Sequence, residues 1–551
     1  MNSKKKSEIN KSSPISRLTS HPSSHFPSPF SLLTAIIFIP LCILIINSCT
    51  TAPQTGALMG TVNLDGESDH SGITLGIYEI VTLDTTITRI NNQYPHIGIK
   101  ISQHTEFDHR FGTLIKTGET DASGYFQITD IPTGVYNVVA IKDGFGFRYV
   151  YEISISDGDN SLSDVMKQSP FNHYIVDDER NFVSEKRNGK REKFFSPLPS
   201  PISQGEKTPK TYGSADITLF PATHITSDIT SPTTFLSHHH YIIEQDIIVD
   251  DELTIQPGAV VRLNQGKEIT SYGTFNAVGE YENFIWFTKN DGFSENLSST
   301  EPDSNYIWDI VTLEPYSQAQ VQWCKFDWAN VGLHNYINGF EIFDCIFRES
   351  QCGFKAESVD STFCSNLLCG EIYNAEQAGI YFLTIANGLI ERNIVNDCEN
   401  GIKIKNNSNS GISNNYIGNC YIGINISYYC ESQIFQNNIE SCSECLKIIG
   451  QSYSEITKNF FSGNICIGFN TQIYSQYNNL KSEIFQFYTY YGEGKSNSCQ
   501  NNYYYTTDSS EIEESIFDKN DVEPNQQPFY GIVDYKPFLK EEYQYCGIQQ
   551  E

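Results

Sequence analysis

The sequence predicts an all-β protein in which a small antiparallel β-sandwich precedes a single-stranded parallel β-helix. Between residues 60 and 160, short runs of alternating apolar and polar residues are separated by turns rich in Gly, Asp and Asn, which is typical of a sandwich. From residue 215 onward, short β-rich runs are divided by Gly-bearing turns, and further along the same residue types return every 22 residues. Nothing in this second part favours helix, so the pattern predicts stacked β coils.

The first 59 residues predict export and membrane attachment. Residues 1–48 form a predicted signal peptide, with a basic start and an apolar core in "FSLLTAIIFIPLCILIINSC" that is too short to span a bilayer comfortably. The end of this segment, "IINSC", resembles a bacterial lipobox, which implies lipidation of Cys49 and a polar tether over residues 49–59. Plain secretion and an uncleaved anchor are the alternatives, and all three place the body of the protein outside the cytoplasm.

The predicted sandwich over residues 60–160 resembles the carboxypeptidase regulatory-like domain of prealbumin type. The resemblance depends on a Gly-x-Val opening strand, a D-x-x-G-x-F hairpin at Asp121, Gly124 and Phe126, and the strand "PTGVYNVVA" followed by "KDGF". It implies a non-catalytic spacer or a carbohydrate-binding-like module. Residues 161–214 follow, rich in Pro, Ser, Lys and Arg without periodicity, and are predicted to be a flexible linker.

The 22-residue step predicts one triangular coil of three strands and three turns per repeat, stacked at the parallel-strand spacing of about 4.8 Å. Each residue then lies over its equivalent in the next coil, so Ile stacks on Ile inside and Asn on Asn at a turn, where a left-handed backbone is tolerated. The Cys column is predicted to fill the interior as a compact hydrophobe. The main columns are Ile390, Ile412, Ile434 and Ile456; Asn393, Asn415, Asn437 and Asn459; and Cys398, Cys420 and Cys442.

The segments "LTIQPGAVVRL" and "ITSYGTFNAVG" resemble the opening coils of right-handed parallel β-helix proteins of the pectin-lyase-like superfamily, and "NNYYYTT…DYKPFL" resembles their closing segment. The helix with its cap is assigned to residues 215–540, with about ten to twelve coils, and residues 541–551 to a tail. The resemblance implies polysaccharide lyases and hydrolases as relatives. However, residues 241–540 contain only three Arg, and the columns through residues 390–470 show no stack of carboxylates. Asp327 above Arg348 is therefore interpreted as a surface ion-pair ladder.

No catalytic residue, metal ligand or cofactor is predicted. Of the run His238 to His240, at most two side chains share a strand face, and "CSEC" at Cys442 and Cys445 is a C-x-x-C motif without a partner. The exterior tyrosines could stack on sugar rings, yet they form no column at the repeat step. They are Tyr416, Tyr421, Tyr428, Tyr429 and the run 503–505.

The net charge of −30 argues against nucleic acid as a partner, because phosphate binding needs clustered Lys and Arg. The predicted partners are a membrane, through the lipid anchor, and a glycan or surface protein. The sequence therefore favours a non-catalytic lipoprotein of the cell envelope, at the outer membrane or cell surface, that acts as a binding or display scaffold. The alternative is a polysaccharide-active enzyme, a lyase or glycoside hydrolase, with its site in the early coils.

Overall fold

The computed structural model describes residues 54–164, 217–281, 283–290, 306–372, 377–481, 487–490 and 495–549. The predicted signal peptide, Cys49 and nearly all of the predicted linker lie outside these residues. The described part is almost entirely β, as predicted, with small antiparallel sheets followed by a parallel β-helix of about 11 turns. Within it, no helix has the length and apolar character needed to cross a bilayer.

Two four-stranded sheets form the sandwich. One joins β1 to β4, β7 and a strand at Ile217–Leu219, and the other has the order β3-β2-β5-β6. The first strand begins at Thr55, so the last residues of the predicted tether belong to the sheet. The strands and helices are β1 (Thr55–Leu64), β2 (Thr74–Glu79), α1 (Thr85–Gln93), α2 (Gln103–Glu106), β3 (Leu114–Glu119), β4 (Tyr125–Pro132), β5 (Gly134–Ile141), β6 (Phe147–Ile155) and β7 (Gly158–Ser161).

The turn between β3 and β4 forms at the predicted residues, but the predicted hairpin is wrong, because β3 pairs with β2 and β4 pairs with β1 in the other sheet. Gly124 has φ +80°, a conformation open to glycine at little cost. Asp121 Oδ1 accepts hydrogen bonds from the backbone N–H of Ser123 at 2.9 Å and of Tyr125 at 3.1 Å. Phe126 is buried in the sandwich core. The assignment of this domain to the carboxypeptidase regulatory-like family stays a prediction.

Three parallel sheets form the faces of the β-helix. We number them in the order in which the chain visits them in each coil. Sheet 1 consists of Thr223–Ile225, His240–Ile243, Val260–Leu263, Ile285–Lys289, Cys324–Asp327, Ile346–Arg348, Leu368–Ile372, Ile394–Cys398, Tyr416–Gly418, Asn438–Glu440, Phe460–Phe461 and Asn479–Leu480.

Sheet 2 consists of Ile247–Val249, Ile269–Ser271, Trp308–Leu313, Ala329–Asn335, Cys352–Glu357, Ile380–Leu383, Asn400–Lys405, Ile422–Ser427, Glu444–Ile449, Asn464–Gly468, Phe487–Tyr490 and Ile516–Phe517. Sheet 3 consists of Thr233–Phe235, Glu252–Ile255, Thr274–Val278, Gln318–Gln322, Glu341–Phe343, Thr362–Ser365, Gly388–Glu391, Asn409–Ser413, Glu431–Phe435, Tyr453–Thr457, Gln472–Gln476, Ser496–Ser498 and Ile532–Asp534. The C-terminal end also carries α3 (Ser509–Glu514) and 3-10 turns at Lys519–Asp521 and Gln527–Phe529.

The predicted columns are confirmed. Ile390, Ile412, Ile434 and Ile456 are successive register partners on sheet 3, and all four are fully buried. Because each isoleucine meets its equivalents above and below, the interior is filled without a helix or a second domain. The column of Cys398, Cys420 and Cys442 is buried as well.

The Asn column lies at the corner from sheet 3 to sheet 1 and forms a continuous hydrogen-bonded ladder. Asn415 Nδ2 donates to Asn437 Oδ1 at 2.9 Å, and the backbone N–H of Asn415 donates to the same oxygen at 2.9 Å. Asn437 makes the same two bonds to Asn459, at 3.0 and 2.9 Å. The left-handed residue at this corner is the one before each ladder Asn, such as Asn414 with φ +55°. The prediction that the ladder Asn itself takes this conformation is wrong. Each ladder Asn instead uses its backbone N–H and its side-chain amide to bond to the Asn of the next coil.

The sandwich packs along sheet 1. Helix α1 begins after Asp84, whose Oδ1 accepts from the backbone N–H of Ile87 at 2.7 Å, and it buries Ile87 and Ile90. These side chains join Ile346, Leu368, Ile394 and Tyr416 of sheet 1 in one apolar cluster with Ile548 of the C-terminal tail. The sandwich and tail therefore cover part of one face of the β-helix.

Candidate functional site

At the corner between sheet 2 and sheet 3, each of several successive coils has a pair of residues with a left-handed backbone, and these pairs lie above one another. The pairs are Thr384 and Ile385, Asn406 and Asn407, Tyr428 and Tyr429, Gly450 and Gln451, and Phe469 and Asn470, with φ between +53° and +75°. The N–H of Asn407 donates to the carbonyl of Tyr428 at 3.0 Å, and that of Tyr429 to Gly450 at 2.9 Å. The backbone ladder therefore continues from coil to coil and leaves the side chains pointing outward.

Several residues at this corner are poorly suited to a left-handed backbone. This conformation costs about 1–2 kcal/mol for an ordinary L-residue and less for Asn or Gly. Ile385, Tyr429 and Phe469 adopt it while 59%, 56% and 47% of their surfaces remain exposed, so burial of the side chain does not offset the strain. The exposed apolar side chains on this strained backbone make the corner a candidate for ligand contact.

The aromatic residues of this corner enclose a groove of about 360 Å³, which we call the aromatic groove. Gly450 packs closely against the neighbouring coil, because a Cβ at this position would lie 2.8 Å from the backbone nitrogen of Tyr428. The coil after Gly450 is shortened, and the N–H of Gln451 donates to the carbonyl of Phe469, only 18 positions later, at 2.8 Å. The groove is lined by Tyr428, Tyr429, Ile449, Gly450, Gln451, Phe469, Asn470 and Phe529.

Polar groups accompany these rings. Asn470 Oδ1 is buried and has no hydrogen-bond partner among the described residues, while the Gln451 side chain is exposed. The Lys405 ammonium lies 5.6 Å from the centre of the Tyr428 ring. Flat apolar faces beside amide groups are suited to a sugar ring, which presents both an apolar C–H face and hydroxyl groups.

The other tyrosines expected on the exterior differ in their surroundings. Tyr421 is 55% exposed, but Tyr416 and Tyr504 are each only 2% exposed. Tyr416 is covered by the sandwich and the tail, and Tyr504 packs in the C-terminal core. The expectation that Tyr416 and Tyr504 face solvent is therefore wrong, because distant segments cover Tyr416, whereas Tyr504 points into the core and its hydroxyl donates to the carbonyl of Cys499 at 3.1 Å.

The pair of Asp327 and Arg348 is adjacent in register on sheet 1 but is not on the surface. Arg348 makes two hydrogen bonds of 2.6 Å to Glu106 of the sandwich. Asp327 is 3% exposed and accepts a bond from Trp286 Nε1 at 2.6 Å. The interpretation as a surface ladder is therefore wrong. These charges attach the sandwich to the early coils, so neither Asp327 nor Glu106 is an open carboxylate.

The three histidines point to separate partners. His240 Nε2 lies 3.2 Å from the backbone nitrogen of Phe147, and burial lowers the pKa of His240 well below its ordinary value. Burial also lowers the pKa of His238 to about 3. His239 stacks on Phe220 with ring centres 4.1 Å apart.

The cysteines lie inside the β-helix. The thiols of Cys398, Cys420 and Cys442 each donate to the carbonyl two residues earlier, at 3.3, 3.2 and 3.3 Å. Cys445 donates to the carbonyl of Ile439 at 3.4 Å. Both cysteines of the C-x-x-C motif are buried, so each acts as a small interior side chain with a backbone partner.

A comparison with known protein families matches residues 293–509 to NosD, described as a periplasmic copper-binding protein. The match spans less than half of the chain, and the family is one of parallel β-helix proteins. Its periplasmic description is consistent with the predicted location in the cell envelope. No curated protein and no solved structure matches the chain.

The family description raises the question of copper. Copper prefers converging imidazole, thiolate or thioether ligands. In the described part of the chain, no group of three or more His, Cys, Asp or Glu side chains is placed to hold a metal ion. The stacked thiols donate to backbone carbonyls, and the histidines point to separate partners. The described residues therefore do not fit a copper centre.

Proposed function

We propose that this protein is a non-catalytic scaffold of the cell envelope that binds a glycan in the aromatic groove. The observation that carries the proposal is the set of exposed rings of Tyr428, Tyr429, Phe469 and Phe529 around one groove, three of them on left-handed backbone. Sugar rings stack on such faces, and the exposed amide of Gln451 supplies hydrogen bonds to hydroxyl groups.

The groove proposal is tested with the purified full chain on a glycan array, followed by titration of the best ligand. Tyr429→Ala and Phe469→Ala should each weaken binding about tenfold, which corresponds to about 1.4 kcal/mol. Tyr474→Ala is the matched control, because Tyr474 is 40% exposed on the flat face of sheet 3, away from the groove. Equal losses in all three variants, or none in the groove variants, would contradict the proposal.

Attachment to the membrane is part of the same proposal. Lipidation of Cys49 would place the scaffold at the envelope, in agreement with the basic and apolar N-terminal segments and with the periplasmic description of the matching family. Cells labelled with a fatty-acid analogue should show labelled wild-type protein and unlabelled Cys49→Ser protein. Label retained in the variant would exclude this anchor.

The enzyme alternative is tested separately. In the early coils, Asp327 lies beneath the sandwich, so a polysaccharide has no open route to that carboxylate. Incubation with uronic-acid polymers, with and without Ca²⁺, should release neither reducing ends nor unsaturated products. Release of either product by the wild-type protein would overturn the non-catalytic proposal.

A further inference from the structure

Among the described residues, the thiols of Cys398, Cys420, Cys442 and Cys445 form one continuous row inside the β-helix, at the corner from sheet 1 to sheet 2. Cys420 lies between Cys398 and Cys442, and Cys442 lies between Cys420 and Cys445, with each thiol within hydrogen-bonding reach of the next. The first three belong to the repeat column, whereas Cys445 comes from the same coil as Cys442. Cys442 therefore has a sulfur neighbour on each side.

Cys445 occupies a position at which the two preceding coils have glycine. Gly401, Gly423 and Cys445 follow one another at the 22-residue step. A Cβ at Gly423 would lie 3.4 Å from Cys442 Sγ, so a side chain at this position is directed at the sulfur row. The change from Gly to Cys therefore adds a thiol to the row at the point where the repeat column ends.

A β-bulge accompanies the added thiol. The register with the following coil shifts between Glu444 and Leu446, which makes Cys445 the extra, unpaired residue. Gly463 of that coil leaves room for the sulfur, because a Cβ there would lie 2.9 Å from Cys445 Sγ. The coil of Cys420 keeps a regular register on both sides, so the backbone of Cys445 is the less constrained of the two neighbours of Cys442.

Cys442 is the most accessible thiol of the row, with 8% of its surface exposed. The adjacent thiols of Cys420 and Cys445 lower the pKa of Cys442, because each can donate a hydrogen bond to its sulfur once the proton leaves. Cys466 is almost equally exposed, at 7%, but burial raises its pKa to about 12. Access and stabilisation of the thiolate, which is the reactive form of cysteine, therefore coincide at Cys442.

We propose that Cys442 and Cys445 form a reversible thiol–disulfide site that reacts with small disulfide oxidants. The Cys442 thiolate attacks one sulfur of the oxidant, which forms a mixed disulfide and releases one thiolate of the oxidant. The Cys445 thiolate then attacks Cys442 Sγ, which forms the Cys442–Cys445 bond and releases the second thiolate. The two protein thiols are oxidised, the oxidant is reduced to two thiols, and the two protons pass from the protein to the released thiolates.

The test adds dithiodipyridine, a small disulfide whose thiopyridone product absorbs light, to the reduced full chain at pH 7. The folded protein should release two thiopyridones per chain in a fast phase, and peptide mapping should find a link between Cys442 and Cys445. This phase should be at least about tenfold faster than the reactions of Cys466 and Cys546, because burial raises the pKa of both thiols to about 12. Dithiothreitol should restore both thiols.

Serine variants separate the two roles. Cys442→Ser should abolish the fast phase, whereas Cys445→Ser should release one thiopyridone and retain a mixed disulfide on Cys442. Cys420→Ser should leave the Cys442–Cys445 link intact. Cys466→Ser is the matched control, because Cys466 has nearly the same exposure as Cys442, and it should leave both the fast phase and the link unchanged.

The wild-type peptide map decides the proposal even if a variant does not fold. A link between Cys420 and Cys442 would overturn the assignment of Cys445 as the partner. Reaction of Cys466 or Cys546 as fast as Cys442, or release of thiopyridone only after the chain is unfolded, would overturn the site itself. Thermal midpoints equal to wild type confirm that each variant used for comparison is folded.

Discussion

At the corner between sheets 2 and 3, some residues combine a left-handed backbone, which lowers stability, with an exposed side chain. Ile385 is β-branched, has φ +61° and is 59% exposed, whereas Asn407 occupies the equivalent position in the next coil. A β-branched residue crowds its own backbone in the left-handed region, and Asn does not. The two positions therefore offer a direct comparison of the same backbone with different side chains.

Ile385→Asn should raise the free energy of unfolding by about 1 kcal/mol, because it relieves left-handed strain without removing a buried side chain. Chemical denaturation measures the change. The reciprocal variant Asn407→Ile should lower the same free energy by a similar amount. If Ile385→Asn is destabilising, the Ile385 side chain makes a stabilising contact that its exposure does not indicate, and the strain argument for this corner fails.

The Asn ladder differs from this corner, because its side chains are buried and hydrogen-bonded. Asn437 is fully buried, and its Oδ1 accepts from both the backbone and the side chain of Asn415. Asn437→Ala would leave the backbone N–H of Asn415 and one hydrogen of its side-chain amide buried without an acceptor, at about 1–3 kcal/mol for each group. We expect a loss of about 3 kcal/mol in the free energy of unfolding, measured by chemical denaturation.

Gln433→Ala is the control for the ladder, because Gln433 is exposed on sheet 3 of the same coil. It should change the free energy of unfolding by no more than about 0.5 kcal/mol. Similar effects of the two substitutions would show that the ladder bonds add nothing beyond ordinary surface contacts.

At the scale of elements, charged residues fix the sandwich against sheet 1. Arg110 Nη2 bonds Asp108 Oδ2 at 2.7 Å and also donates to Thr288 of the β-helix at 3.1 Å. Burial alone would raise the pKa of Asp108, but Arg110 beside it outweighs burial and lowers the pKa from 3.8 to about 2. The ionised form is therefore favoured by folding, and its contribution is complete above pH 3.8.

This contribution should be lost as the pH falls from about 4 to about 2, where the folded protein must take up the proton. Its size is about 2 kcal/mol from the shift in pKa. Asp108→Asn has no titrating group at this position. It should therefore be less stable than wild type at pH 6, and this difference in the free energy of unfolding should shrink by about 2 kcal/mol at pH 2. Denaturation at both pH values measures the difference, and a constant gap would show that Asp108 titrates normally in the folded protein.

The sequence predicts the elements that repeat and not the contacts between distant segments. Ile412 and Asn415 could be placed because each recurs at one step and so contacts its own equivalent. The aromatic groove was missed because Phe469 follows a shortened coil and Phe529 comes from the cap. A search of the sequence for tyrosines that repeat every 22 residues therefore could not find the groove.

The part of sheet 1 that the sandwich and tail cover can be recognised in the sequence. In Ile346–Phe347, Leu368–Cys369, Ile394–Val395 and Tyr416–Ile417, apolar residues stand at adjacent positions of a strand. One of each pair must point outward, and a strand buried on both faces has this appearance. The four outward residues are those that the sandwich and tail cover. This pattern of adjacent apolar residues predicts that the face is covered, but it does not identify the segment that covers it.

At the scale of the whole molecule, the three faces of the β-helix differ in environment. Sheet 1 is partly covered, the described strands of sheet 2 carry both Lys and carboxylates, and those of sheet 3 carry only acidic charges. The described residues from Thr55 onward group as one compact unit. Two domains joined only by a flexible linker would unfold separately, whereas the docked charges and apolar cluster couple the sandwich to the coils.

The full chain should therefore show one calorimetric unfolding transition in which sandwich and coils unfold together. Arg348→Ala leaves Glu106 buried without its partner, which typically costs about 3–5 kcal/mol, and should split the transition into an early sandwich step and a later β-helix step. Lys267→Ala is the control, because Lys267 pairs with Asp246 at the surface at 3.3 Å, and such pairs contribute at most about 1 kcal/mol. Two transitions already present in the wild-type protein would mean that the sandwich is not energetically coupled to sheet 1.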